Sequence, residues 1–138
     1  MSTIADAIPA SHRDLIQARA TAVLTTVDSQ DRPQSTAVWY LVDSDGQLKV
    51  SVTSDRQKYR NLVANPQAVL FILDPANPYR SLEIRATTEL LPDPEKKIVT
   101  AFATAYGVDE AVLNQSPADR YVVVLRPWRI VANPPATS

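Results

Sequence analysis

The chain has no cysteine and only two glycines, Gly46 and Gly107, in 138 residues. The first absence excludes disulfides, iron–sulfur clusters and thiolate-ligated zinc. The scarcity of glycine excludes the loops that cradle phosphates through bare backbone: neither G-x-G-x-x-G nor G-x-x-x-x-G-K-[ST] can be written. A G-x-S-x-G nucleophile elbow is absent too. Any nucleotide-like cofactor must therefore sit in a fold that is neither Rossmann nor P-loop. No stretch approaches the ~20 apolar residues of a membrane-spanning helix. Residues 1–10 lack a basic segment followed by an apolar run, so no secretory signal is expected there. A net charge of −1 provides no global field for nucleic acid or an anionic membrane, and neither is expected as a partner. The expected location is the cytoplasm. His12 is the sole histidine and reads as a surface residue of a capping turn. No metal site is expected.

What is present is ordinary for a globular chain: 45% hydrophobic and 21% charged residues. The length suits one domain over 1–138, with loose termini at 1–10 and 133–138. A helix is expected through Leu15 and Ile16. Strands follow at 22–27, 34–42 and 47–53, joined by the polar turns 28–33 and 43–46. Both faces of the 34–42 strand read as occupied. A short helix is stopped by Asn65-Pro66. The apolar run 68–73 reads as a strand buried on both sides, and 79–91 as a long alternating strand. Asp93-Pro94-Glu95 suits a helix start, and Gly107 suits its end. Residues 120–126 form a last core strand that Trp128 to Val131 can extend. No βαβ alternation runs through this order. The fold class is mainly β with flanking helices: an antiparallel sheet closed into a small barrel.

The most informative stretch is Ser54-Asp55-Arg56-Gln57-Lys58-Tyr59-Arg60-Asn61-Leu62. It crowds three cations at a strand-to-helix corner. Helix starts favour anions through free N–H groups and the dipole. Arg56 and Lys58 make the corner suited to a phosphate. The competing reading is a solvated helix face. Glu83 and Glu89 lie ~20 Å apart along one strand, too far for a carboxylate pair. Arg85, Arg126 and Arg129 read as surface arginines.

Four segments carry a family resemblance: Ala22-Val23-Leu24-Thr25-Thr26; Asp31-Arg32-Pro33-Gln34-Ser35-Thr36-Ala37-Val38-Trp39-Tyr40; Arg56 to Leu62 with Asn65-Pro66; and Leu82-Glu83-Ile84-Arg85-Ala86. In order and spacing the chain resembles the split-barrel flavin-binding superfamily that includes pyridoxamine 5'-phosphate oxidase, and within it the actinobacterial branch using the deazaflavin coenzyme F-420. The resemblance implies an antiparallel split β-barrel of the FMN-binding kind. It implies a cofactor phosphate held by Arg56 and Lys58, with Ser54 as a hydroxyl donor. The ring and its side chain would meet Thr36, Ala37 and Val38, then Ser51, Thr53 and Ser54. A homodimer is implied, with cofactor sites at the interface and Tyr79 and Arg80 reaching the partner's cofactor. Two departures stand out. Ala86 occupies a position that is usually Gly, and Gln57 separates Arg56 from Lys58. The C-terminal Arg and His motif of the vitamin B6 enzyme is not visible after Trp128.

The implied activity is hydride transfer between reduced coenzyme F-420 and an unsaturated small molecule. The alternatives are an FMN-dependent flavoprotein of the same fold and a non-catalytic cofactor-binding dimer. No catalytic side chain is assigned; water or a tyrosine would serve as proton donor.

Overall fold

The structure is a computed structural model and describes residues 3–135. Seven strands form one sheet: β1 (Thr21–Val27), β2 (Pro33–Trp39), β3 (Leu41–Val42), β4 (Leu48–Thr53), β5 (Gln67–Leu73), β6 (Ser81–Pro92) and β7 (Arg120–Asn133). Every pairing is antiparallel, in the order β2-β1-β5-β6-β7-β4-β3. The two ends of this order are joined through Tyr40 alone, which follows Trp39 and precedes Leu41. The sheet therefore curls until its first and last strands become one stretch of chain. This is the split barrel expected from the sequence.

The helices are short: α1 (Ile4–Ala7), α2 (Arg13–Gln17), α3 (Gln57–Ala64), α4 (Lys97–Tyr106) and α5 (Glu110–Leu113). Alternation places Ala22 and Leu24 of β1, Leu70 and Ile72 of β5, and Leu82 and Ile84 of β6 in the barrel interior. A smaller cluster of Ile98, Val99 and Phe102 on α4 packs against Trp39, Leu41 and Val122. It lies over the place where β2 and β4 fail to pair.

Five expectations need correction. First, the 34–42 strand is broken at Tyr40, and β2 is a largely exposed edge strand in which Val38 is the buried residue. Second, β5 is buried on one face only. Its outward residues Val69 and Phe71 sit between Thr25 and Val23 of β1 and Arg85 and Glu83 of β6, so that face is mixed rather than core. Third, the N-terminal segment expected to be loose packs: Ile4 and Ile8 are core residues. Residues 136–138 of the other expected loose end lie outside the described residues, as do residues 1 and 2. Fourth, His12 is buried, its ring meeting the Ser11 hydroxyl at 2.7 Å and the Asn133 carbonyl at 3.1 Å. Fifth, α4 begins at Lys97 rather than beside Asp93. The Asp93 carboxylate reaches forward and accepts from the Lys97 and Ile98 N–H groups, each at 3.0 Å. Gly107 ends α4 in the left-handed conformation, at φ 66°.

Candidate functional site

The gap between β2 and β4 opens into a cavity. One lobe, of about 300 Å³, is lined by Ala37, Ser51, Thr53, Arg56, Lys58 and Arg120 together with the α5 end of the chain. A narrower lobe of about 180 Å³ shares Ala37, Ser51, Lys58 and Arg120 and adds Val38, Trp39, Val99 and Phe102. On the other side of Arg56 and Lys58, a separate hollow is lined by Gln34, Thr36, Asp55 and Gln57. Thus Ala37, Val38, Ser51, Thr53, Arg56 and Lys58, scattered over three elements, line one cavity, and Thr36 lines the hollow beside it.

The rest do not. Ser54 lines none of these surfaces and gives its backbone N–H to the Asp119 carbonyl at 2.9 Å. The Thr53 hydroxyl is occupied, donating to Asp55 at 2.5 Å. Tyr79 and Arg80 lie in the β5–β6 connection, away from the cavity. The Arg80 guanidinium is held by the Asp14 and Asp74 carboxylates, at 3.1 Å for Asp74, and by the Ser11 carbonyl.

A buried asparagine orients the basic corner. Asn61 on α3 donates to the Thr26 hydroxyl at 3.0 Å and to Gln34 Oε1 at 3.2 Å, and accepts from Gln57 at 2.8 Å. This network locks α3 against β1 and β2, so Arg56 and Lys58 project from a fixed helix start. Arg56 is its N-cap residue, and no side chain bonds the free N–H groups of that first turn.

The electrostatics of the cavity are one-sided. Among the described residues, none of Arg56, Lys58 and Arg120 forms an ion pair. Neither cavity lobe is lined by a carboxylate. Asp55 lines the adjoining hollow, where Thr53 and Ser116 hold its carboxylate, and those bonds keep its pKa below the usual range. Burial lowers the pKa of Lys58, and the neighbouring Arg56 lowers it further. Burial also lowers that of Arg120, with Asp93 opposing and Arg56 adding to the effect. Two polar atoms here are buried without a partner: Thr36 Oγ1 and Arg120 Nε. Buried donors and cations left open around a cavity fit an anionic, hydrogen-bonding ligand. A flavin-type phosphate with its polar chain meets that description.

Arg120 is the residue that sequence reading missed. It opens β7, and only the register places it opposite Thr53 beside the basic corner. Phe102 and Val99 were legible as a helix stripe but not as a cavity wall.

The family model described as pyridoxamine 5'-phosphate oxidase matches residues 8–131. Among solved structures, one named F-420 reductase is 32% identical, with a TM-score of 0.77, covering 90% of this chain and 98% of that one. A conserved hypothetical protein from Mycobacterium tuberculosis is 21% identical, with a TM-score of 0.75, covering 100% of this chain and 96% of that one. The heme storage protein HutZ from Vibrio cholerae shares the fold at 18% identity and a TM-score of 0.72, covering 89% and 92%. No curated protein matches the chain.

Proposed function

The chain belongs to the pyridoxamine 5'-phosphate oxidase family, and we propose on that basis that it is an oxidoreductase using coenzyme F-420, passing a hydride to an unsaturated small molecule. The observation that carries the reading is the pair Arg56 and Lys58, which form no ion pair among the described residues, at a cavity whose two lobes are lined by no described carboxylate. Arg56 and Lys58 clamp the phosphate, and charge-assisted bonds of this kind are the strong ones. Thr36, whose buried hydroxyl oxygen has no partner, lines the hollow next to this clamp. Ala37 and Val38 lay a flat surface along β2 for the ring. Trp39 and Phe102 close the far end and exclude water. When bound, the cofactor supplies the hydride chemistry, and the protein supplies position. The Tyr106 hydroxyl is already bonded to the Tyr40 backbone, so it is not a free proton donor.

The partner in this reading is a second copy of the chain. Tyr79, which is 82% exposed, would supply the contact across the interface. Arg80 would not, because its guanidinium is committed within its own chain. FMN is the second reading, since the basic corner serves either phosphate. Among the described residues no helix is long and apolar enough to cross a membrane.

Titration of the purified protein with coenzyme F-420 and separately with FMN, followed by tryptophan quenching, tests this. Tight F-420 binding with weak FMN binding supports it. Preference for FMN selects the second reading, and binding of neither removes both.

A further inference from the structure

Arg120 is set apart from the Arg56–Lys58 clamp by how it is held. Nη1 donates to Ser51 Oγ at 3.0 Å, and Nη2 donates to the Leu113 carbonyl at 2.7 Å. These bonds fix the guanidinium between β4 and α5. They leave buried Nε–H without a partner. Arg120 lines both lobes of the cavity, and a guanidinium fixed in this way beside a cavity is suited to a carboxylate. Among the described residues no carboxylate bonds Arg120: Asp55 is bonded to Thr53 and Ser116, and Asp93 to the first turn of α4. Arg120 also lines the narrow lobe, where Trp39, Val99, Phe102 and Leu113 supply an apolar wall. Beside this apolar wall Arg120, with Lys58 in the same lobe, selects a ligand with an apolar body and an anionic end.

We infer that Arg120 forms a second anion subsite, distinct from the phosphate clamp, which receives the carboxylate of a small apolar acid seated against Trp39 and Phe102. Assigning this acid as the hydride acceptor rests on the proposed oxidoreductase reading; its binding at Arg120 does not. The polar, anionic tail of coenzyme F-420 is the other source of a carboxylate, and the apolar wall argues against it.

The test uses the Trp128→Phe protein, which leaves Trp39 as the single tryptophan reporter; Trp128 is exposed, 60%, and lines neither lobe of the cavity. Benzoate and its neutral amide, benzamide, are the probes. The expected result is that benzoate changes Trp39 emission and binds at least about tenfold more tightly than benzamide, the scale of one charge-assisted bond. Adding Arg120→Gln should abolish the benzoate preference while FMN and F-420 affinities stay within about threefold. Arg120→Lys should retain part of the preference, and melting curves establish that each variant is folded. Should Arg120→Gln not fold, the benzoate–benzamide comparison and Arg120→Lys still decide. Equal binding of the two probes, or an unchanged preference in a folded Arg120→Gln protein, overturns the subsite. Competition between benzoate and FMN for one place overturns its separateness. Selective loss of F-420 affinity in Arg120→Gln, with FMN affinity kept, overturns the assignment to a separate acid. Failure of both cofactors to bind while benzoate still binds through Arg120 removes the oxidoreductase reading and leaves the subsite standing.

Discussion

The Tyr106 hydroxyl satisfies both backbone polar groups of Tyr40. It accepts from the Tyr40 N–H at 3.2 Å and donates to the Tyr40 carbonyl at 2.6 Å. Tyr40 stands between β2 and β3, where the chain leaves one end of the sheet and joins the other. No neighbouring strand can complete its hydrogen bonds there. A side chain 66 positions away does so instead, and the same ring stacks on Trp39 with centroids 4.3 Å apart.

Tyr106→Phe should keep the stacking and lose both bonds. Two part-buried backbone groups would then lack partners, at a cost of about 2–3 kcal/mol. Urea denaturation read by far-UV circular dichroism checks this. A loss below about 0.5 kcal/mol, the ordinary range for a surface substitution, would mean that water replaces the hydroxyl.

Arg56→Ala and Lys58→Ala should each weaken cofactor binding by about tenfold or more, the size of one charge-assisted bond. Because each removes a like charge from a cavity already crowded with cations, thermal stability should not fall. Unchanged affinity with an unchanged fold would reduce the corner to a solvated helix start.

Lys58 makes the site sensitive to alkali. Its pKa is lowered by burial and by Arg56, from an ordinary 10.5. Between the lowered value and 10.5 the unfolded chain holds a proton that the folded chain has released. The ligand-free protein therefore gains stability from this residue as pH rises through that window. Lys58→Met removes the term, so its stability advantage over the parent should shrink toward high pH. Affinity for an anionic cofactor should move the opposite way, falling as Lys58 loses its charge below the ordinary lysine range. Paired melts and FMN titrations across pH report both.

Arg80 gives a contrasting case. It ties Asp14 on α2 to Asp74 in the β5–β6 connection. The Arg80 bond is the main cause lowering the pKa of Asp14; for Asp74 backbone bonding at Ala76 comes first and Arg80 second. Both carboxylates thus stabilise the fold above the unfolded value, and that contribution is lost as pH falls through their lower folded values. Arg80→Ala should lower stability only modestly, since Asp14 is largely exposed and screened, and should leave cofactor affinity within one chain unchanged. Acid-titrated melts of the two proteins should converge at low pH.

Much of this architecture was legible because it is periodic. The alternation of Leu82, Ile84 and Ala86, the stripe of Ile98, Val99 and Phe102, and the stop at Gly107 are local signals. The gathering of Thr36, Ser51, Arg56 and Lys58 could be anticipated because the resemblance carried their spacing. What stayed hidden depends on partners distant in sequence. Nothing local to Tyr40 marks a strand break, since the group that permits it is Tyr106. His12 is surface-like by composition and is buried by the Asn133 carbonyl, 121 positions away. Arg120 looks like any strand-opening arginine until the register sets it against Thr53.

The junction at Tyr40 also sets how the cavity can deform. β2 and β4 border it as two arms joined at one end, since β2 runs through Tyr40 into the β3 strand that pairs with β4. The other end is tied as well: the Asn61 amide donates to Gln34 Oε1 at 3.2 Å, binding the start of β2 to the helix that follows β4. The width of the cavity is then framed at two points, the chain itself beside Trp39 and one side-chain bond beside Arg56. A ligand must fit the slot as framed, and loosening the single bond at the charged mouth should broaden ligand choice there while the apolar end keeps its shape.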